Sequence, residues 1–343
     1  MPLQRKETDY RTAGSWSLGS CLVMTGLMFL AGCVPDPSHD NPLDPLSPRY
    51  TTAAAVSGTV TELSNPQQGL CRALVTIYPD HAAAVTDSAG RFTIGGVFPG
   101  QKMITFACDD FAPDSMAIDV RAGEKRQVGI GLNGLPLISG TSILTRKVDQ
   151  LWPGPVYYAD VNAMVDDRDG NKELDSVWLS IGDDGELVIP MTYNYKSRQA
   201  SAEFSSDTLP YGTLEEWLMG RNLYVFAKDR NNTITSSPAF QAIRVIQQEA
   251  LPTYPQNGDT VTVPFEMRWT APSVSFNFSY SLRVVRVVSG DQILVSTPPP
   301  FLPGILAYQY TGTLPSGNYF WTISIVDEFG NWSRSKESYF VIP

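Results

Sequence analysis

The chain has 343 residues, of which 25 are Lys or Arg and 35 are Asp or Glu, so its formal net charge is −10. This acidic balance argues against nucleic acid as a partner and against polybasic attachment to anionic lipid, because both need an excess of positive charge. With 43% hydrophobic residues the chain has ample material for cores, and its length predicts two or three domains.

The N-terminal segment has the order of a secretory signal. Arg5, Lys6 and Arg11 precede an uncharged stretch whose apolar part runs over residues 21–32. That part is about a dozen residues long, whereas a membrane-spanning helix needs about 20. We therefore predict a signal peptide over residues 1–32 rather than a transmembrane anchor.

A cysteine ends this stretch. The run Leu30-Ala31-Gly32-Cys33 resembles the lipobox of bacterial lipoproteins. The resemblance implies cleavage before Cys33 and a covalent lipid on its sulfur, and two or more acyl chains give stable anchoring to a membrane. An ordinary signal with a chance cysteine is the alternative. Val34 follows, and the family resemblance then favours sorting to the outer membrane.

Residues 33–52 are predicted to form a flexible tether. Five prolines lie between Val34 and Tyr50, and little in this stretch could enter a core. Such a segment cannot bury enough apolar surface to offset its ordering entropy. Residues 41–45, NPLDP, also resemble tethers of other bacterial envelope lipoproteins. The predicted location is therefore the outer membrane, on its periplasmic or its surface side.

Beyond the tether, the pattern predicts an all-β chain of tandem β-sandwiches. Short alternating runs are separated by turns about every ten residues, and only residues 213–220 could make a helical turn. We predict three modules: the first over residues 53–135, the second over 136–247 and the third over 248–343.

The first module carries a pattern of turn and strand residues: Thr86, Asp87, Gly90, Phe92, Ile94, Gly96, Pro99, Gly100 and the run 110–113. With these residues it resembles the carboxypeptidase regulatory-like, transthyretin-like family. This resemblance implies a small β-sandwich with no catalytic residues of its own, hence a scaffold or adhesion role. Lys102 departs from the pattern, since the family usually carries an aromatic residue there.

The third module shows the residues of a corner and a late strand: Leu314, Gly317, Tyr319, Trp321 and Ile323. It therefore resembles a fibronectin type III or immunoglobulin-like sandwich, with a tight last hairpin expected at 327–331. The second module ends in the same way: Asp229 aligns with Asp327 and Asn232 with Gly330, at an offset of 98 residues. We therefore predict that both modules are copies of one architecture.

Cysteine usage agrees with export. Cys21 belongs to the predicted signal and Cys33 to the predicted lipid site, which leaves Cys71 and Cys108. An even pair in an oxidising compartment predicts a disulfide between them, with two buried free thiols as the alternative.

Catalytic signals are missing from the sequence. The chain has two histidines, His39 and His81, and carries no HExxH, GxSxG or GxxxxGK[ST] motif. We therefore predict a protein that is not an enzyme.

The densest acidic cluster lies between residues 165 and 175. A complete EF-type calcium loop is ruled out, because its first and twelfth positions would be Val165 and Ser176. A looser calcium site is one interpretation, since hard cations accept flexible oxygen cages. A solvated hairpin turn is the other. The predicted ligands are Asp167, Asp169, Asn171 and Asp175.

Aromatic residues give a second candidate site. Trp332 and Phe329 stand at or beside the tip of the predicted last hairpin, where exposed rings could stack on a sugar or a protein partner. Core or edge packing is the alternative for Trp332. Two functions follow: a lipid-anchored scaffold or adhesion protein of the bacterial envelope that holds a partner, or a glycan-binding accessory lipoprotein for polysaccharide capture, assisted by calcium.

Overall fold

The computed structural model describes residues 39–40, 44, 46–47, 53–64, 66–152 and 154–343. The chain divides into two units, residues 1–51 and 52–343. The predicted signal peptide and Cys33 lie outside the described residues. In the first unit, the side chains of His39 and Asp44 form a hydrogen bond. Within the described ranges, no helix is long and apolar enough to cross a membrane.

The second unit confirms the all-β prediction, beginning with a seven-stranded part in residues 54–132. Its two sheets have the orders β4-β1-β7 and β3-β2-β5-β6, and alternate side chains of both sheets meet in one buried cluster. The strands are β1 (Ala54–Glu62), β2 (Leu74–Tyr78), β3 (Ala82–Val85), β4 (Arg91–Val97), β5 (Gly100–Ala107), β6 (Asp114–Val120) and β7 (Lys125–Leu132).

Lys102, the departure from the family pattern, is buried in an ion pair. Its Nζ lies 2.5 Å from Oδ1 of Asp80, and the other carboxylate oxygen of Asp80 accepts a hydrogen bond from Phe98 N at 2.9 Å. Both side chains are almost completely buried. Lys102 and Asp80 therefore compensate each other's charge at a position where both are removed from water.

The next seven strands enclose a second buried cluster. They are hydrogen-bonded in the order β8-β9-β12-β11-β10-β13-β14. The predicted helical turn is confirmed as α1 (Leu214–Leu218), which begins at the N-cap Thr213 and buries Trp217. The strands are β8 (Leu137–Val148), β9 (Val156–Asp166), β10 (Leu174–Ile181), β11 (Leu187–Asn194), β12 (Gln199–Ser205), β13 (Leu223–Asp229) and β14 (Ile234–Ser236).

The C-terminal part forms a third sandwich. One sheet is β15-β17-β20, and the facing sheet runs β19-β18-β21 with β22 and β23 on the far edge of β21. The strands are β15 (Leu251–Tyr254), β16 (Asp259–Thr260), β17 (Phe265–Thr270), β18 (Phe278–Val288), β19 (Asp291–Ser296), β20 (Ala307–Tyr310), β21 (Gly317–Asp327), β22 (Trp332–Arg334) and β23 (Ser338–Ile342).

The corner predicted for this part is present. The hydroxyl of Tyr319, near the start of β21, donates to the carbonyl oxygen of Pro315 at 2.6 Å. This bond is the tyrosine corner of immunoglobulin-like sandwiches. Trp321 lies fully buried two residues later, and its Nε1 donates to Pro255 O at 2.8 Å. The immunoglobulin-like, fibronectin type III-like architecture is thus confirmed by a specific contact as well as by strand order.

The predicted repeat at an offset of 98 residues is also visible in the hydrogen bonds. Ser237 Oγ accepts from Val225 N at 3.0 Å, and Ser335 Oγ accepts from Ile323 N at 3.1 Å. The aligned turn residues Asn232 and Gly330 both have a positive φ, 67° and 93°. The second and third modules therefore close their last hairpins in the same way.

Each of the three buried clusters takes its residues from one predicted module. Ile246 is the exception, because it falls within the predicted second module but packs into the cluster of the third. Strand pairing joins the last two modules: the end of β8 pairs in parallel with β22, with Trp332 opposite Arg146 and Arg334 opposite Val148. The exact module boundaries remain a prediction.

Candidate functional site

The acidic loop between β9 and β10 is ordered by its own side chains. Oδ1 of Asp167 accepts from Asp169 N at 2.8 Å, and Oδ1 of Asn171 accepts from Asp167 N at 3.2 Å. Gly170, with a φ of 121°, donates its N–H to the carbonyl oxygen of Asp167 at 3.0 Å. These bonds form the Asx-type turn that an Asp-Gly sequence favours.

Two carboxylate oxygens in this loop are buried without a hydrogen-bond partner. They are Oδ2 of Asp167 and Oδ1 of Asp169. Asp167 is only 5% exposed. The other oxygen of Asp169 accepts from Gly134 N at 2.6 Å, which ties the loop to the first connector, residues 133–136 between β7 and β8. Buried polar atoms without partners are rare and costly, so both oxygens call for an explanation.

The charges around the loop are mainly negative. Burial raises the pKa of Asp167 from its usual 3.8 to about 6, and the nearby carboxylates of Asp169, Asp229 and Glu173 add to the shift. The pKa of Asp169 is also raised, first by burial and then by Glu62 and Asp229. Both carboxylates therefore lie in a setting that disfavours their ionised forms.

The structure brings together part of the predicted calcium ligand set. Asp167, Asp169 and Asn171 share the loop, whereas Asp175 is exposed on β10 and lies 3.9 Å from Lys228 Nζ. Asp175 directly follows the buried Leu174, and successive side chains of a strand point to opposite faces. Within the described part of the chain, no group of three or more His, Cys, Asp or Glu side chains is arranged to hold a metal ion. Calcium binding stays a prediction.

A buried aspartate fastens the first connector. Asp229, 1% exposed, accepts from Thr233 N through Oδ1 at 2.8 Å and from Asn133 Nδ2 through Oδ2 at 2.6 Å. Asn231 Nδ2 in turn donates to Oδ1 of Asn133. The hairpin repeat singled out Asp229 as a turn residue, but only the structure shows that its partner precedes it by 96 residues.

The aligned aspartate of the third module does the same for the second connector, residues 244–250. Oδ1 of Asp327 accepts from Phe329 N at 2.9 Å and Asn331 N at 2.8 Å. Its Oδ2 lies 2.5 Å from Nη1 of Arg244, which belongs to the second connector. Asn331 extends the contact, since its Oδ1 accepts from Thr145 N of β8 at 2.9 Å.

The predicted aromatic binding residues have different surroundings. Trp332 is half-buried at the β8–β22 junction, and the Arg146 guanidinium lies 6.0 Å from its ring and 4.2 Å from that of Tyr158. This setting fits the packing interpretation of Trp332. Phe329 is 48% exposed, with the Arg244 guanidinium 5.9 Å from its ring. Binding by these two residues remains a prediction.

A groove not foreseen from the sequence opens where the second connector meets β15 and β23. Its volume is about 510 Å³. Acidic, amide and aromatic side chains line it together with Leu151, whose chain neighbour Trp152 is 86% exposed. Among the lining residues are Asp149, Glu249, Gln256, Asn257, Glu337 and Tyr339.

The predicted disulfide is absent from the structure, in which Cys71 and Cys108 are free cysteines. Cys71 lies in the turn that precedes β2, and both cysteines line one groove. β2 and β5 pair with Leu74 opposite Ala107, so continuing this register places Ala73, and not Cys71, opposite Cys108. Burial raises the pKa of the Cys108 thiol, which disfavours its reactive thiolate form.

Comparisons with known proteins assign no family: no family model and no curated protein matches the chain. Among solved structures, the chain is similar to the BcpA major pilin subunit of Bacillus cereus, with 13% identity, a TM-score of 0.31 and coverage of 82% of this chain and 92% of the pilin. It is also similar to the chicken CNTN1 FN1–FN3 domains, with 10% identity, a TM-score of 0.33 and coverage of 85% and 96%.

A third similar structure is a DUF3823 family protein from Bacteroides ovatus, with 11% identity and a TM-score of 0.25, covering 55% of this chain and 97% of that one. Similarities this low assign no function to the chain.

We expect Asp327→Ala to lower the free energy of unfolding by about 3 kcal/mol, because it leaves the Arg244 guanidinium and several buried N–H groups without their acceptor. Urea denaturation followed by tryptophan fluorescence measures the effect. The matched control is Glu328→Ala, an exposed neighbour 3.7 Å from Arg244, which should change the value by less than about 0.5 kcal/mol. Equal effects of the two substitutions would contradict the assignment.

We expect the free energy of unfolding to depend on pH through the titration of Asp167. Since its folded-state pKa is raised, the folded chain holds the extra proton below about pH 6, and stability is lost as the pH rises from about 4 to above 6. Urea denaturation in EDTA should show wild type losing about 3 kcal/mol more than Asp167→Asn over this range. Parallel pH profiles of the two proteins would refute the prediction.

Proposed function

We propose that this protein is a lipid-anchored scaffold of the bacterial envelope, which carries β-sandwich modules on a tether and binds a partner near the outer membrane. The observation that carries the proposal is the fastening of both connectors. Asn133 is bonded to Asp229 and Arg244 to Asp327, and β8 pairs directly with β22. Modules held in this way present their surfaces in a fixed relation, which is what a scaffold requires.

The anchor is supported by the lipobox resemblance at Cys33 and by the proline-rich residues that follow it. A tether of residues 33–52 would let the sandwiches extend from the membrane without pressing against it. The lack of a recognisable catalytic motif and the sandwich architecture support a non-enzymatic role, in which recognition depends on surfaces rather than on reacting groups.

We expect Cys33→Ser to release the protein from the membrane fraction, because the acyl chains that hold it need the Cys33 sulfur. Labelled palmitate and membrane fractionation of the native cells measure this. Cys21→Ser is the matched control, since Cys21 lies inside the predicted signal and should leave labelling and anchoring unchanged.

Persistent membrane attachment of Cys33→Ser, together with no fatty acid on the wild type, would contradict the lipid anchor.

A second experiment searches for the partner by crosslinking and mild-detergent pull-down, with Cys33→Ser as the comparison. A stoichiometric protein that depends on the anchor supports the scaffold, and recovery of the lipoprotein alone speaks against it.

Glycan binding is the second candidate, favoured by the groove of about 510 Å³ between the last two modules. Carboxylate and amide groups such as Asp149 and Asn257 suit sugar hydroxyls, while Tyr339 supplies an aromatic face. Trp152 is exposed and directly follows Leu151, which lines the groove, so its ring is the nearest exposed aromatic group along the chain.

We expect Trp152→Ala to weaken retention on glycan arrays about fivefold or more if sugar occupies this groove, because aromatic stacking contributes about 1–3 kcal/mol for a nucleic-acid base and we take the lower end of that range for a sugar. Phe329→Ala is the matched control, an exposed aromatic residue at the last hairpin. If only Phe329→Ala lost binding, the sugar would bind at the hairpin tip and not in this groove. If the wild type bound no glycan, the glycan-binding function would be rejected.

A further inference from the structure

The unexplained feature of the molecule is the pair of buried, unpartnered carboxylate oxygens in the β9–β10 loop. Oδ2 of Asp167 and Oδ1 of Asp169 have no hydrogen-bond partner. Asp167 is only 5% exposed. An isolated buried carboxylate is costly unless it is protonated, paired with a cation or bound to a metal.

The loop holds these two oxygens in fixed positions. Asp167 Oδ1 is occupied by Asp169 N at 2.8 Å, and Asp169 Oδ2 is occupied by Gly134 N at 2.6 Å. Each carboxylate is therefore oriented by a backbone hydrogen bond on one oxygen. The Ser64 backbone also lowers the pKa of Asp169, but Oδ1 of Asp169, like Oδ2 of Asp167, has no partner with hydrogen-bond geometry. Two acceptors held in this way are preorganised for a ligand that accepts electron pairs.

The neighbouring side chains do not supply the missing positive charge. Arg168 extends to Asp110, with Nη2 and Oδ2 2.8 Å apart. Arg230 lies 3.9 Å from Glu173, and Lys228 lies 3.9 Å from Asp175. Glu62, Glu173 and Asp229 add negative charge near the two aspartates.

We propose that a calcium ion binds in the β9–β10 loop, with Oδ2 of Asp167 and Oδ1 of Asp169 as its protein ligands. Calcium takes six to eight oxygen ligands in flexible geometry, so water and backbone carbonyl groups can complete the shell, whereas Mg²⁺ demands strict octahedral order. Only two carboxylates are free, so the affinity belongs to the class of extracellular modules, with a Kd of about 10⁻⁴–10⁻³ M.

This ligand set differs from the one that the sequence suggested. Asp175 is outside it, because its side chain is exposed near Lys228, and Oδ1 of Asn171 is occupied by Asp167 N. The proposal does not rest on the lipid anchor or on a scaffold role. Because Asp169 is bonded to Gly134, the ion would fix the first connector against the second module.

The test is calorimetric titration of CaCl₂ into the purified full chain after treatment with EDTA. We expect a Kd of about 10⁻⁴–10⁻³ M for wild type. At 10 mM CaCl₂ the melting temperature should rise by about 5 °C over that in EDTA. Asp167→Asn and Asp169→Asn should each weaken binding at least tenfold, and the exposed Asp175→Asn should bind like wild type.

Folding of the variants is checked separately. Asp167→Asn keeps the oxygen that accepts from Asp169 N and removes one charge from a repulsive group, so its melting temperature in EDTA should equal or exceed that of wild type. Limited proteolysis gives a second readout, with cleavage at residues 133–136 slowed by CaCl₂ in wild type only. No binding heat for wild type, or equal binding by Asp167→Asn and Asp169→Asn, would overturn the proposal.

Discussion

A buried aspartate at the turn of a last hairpin holds each of the two connectors: Asp229 the first and Asp327 the second. Asp229 and Asp327 close their own turns with one carboxylate oxygen and receive a donor from the preceding connector with the other. A single side chain thus couples a local turn to a distant segment. Hydrogen bonds to a charged acceptor are about twice as strong as neutral ones, which suits this double role.

The remaining features of the two junctions follow from this constraint. Between the second and third modules, Asp327 holds the second connector through Arg244. There β8 pairs with β22, and the Arg146 guanidinium lies over the rings of Tyr158 and Trp332. At the first junction, the same device gathers carboxylates around the β9–β10 loop, and no cation among the neighbouring side chains faces Oδ2 of Asp167. The Asp229 carboxylate that holds the first connector therefore also adds to the uncompensated negative charge around Asp167 and Asp169.

Local patterns in the sequence predicted the all-β architecture, the short helical turn at 213–220, the corner at Tyr319 and the repeated hairpin, because each depends on residues close along the chain. Contacts between distant segments could not be predicted in this way. The ion pair of Lys102 with Asp80 and the outward direction of Asp175 depend on sheet position. The disulfide prediction came from an even pair of cysteines and an expected oxidising compartment, whereas both cysteines are free in the structure, with Cys71 in the turn before β2.

The central claim is that the second and third modules form one hydrogen-bonded unit and are not independently moving domains. Hydrogen exchange of the backbone amides in β8 residues 145–148 and in β22, measured by mass spectrometry on the native chain, tests it most directly. The account predicts slow exchange at the β8–β22 pairing, comparable to that of the central strand β21. Exchange there as fast as in an unstructured loop, with β21 still protected, would contradict it.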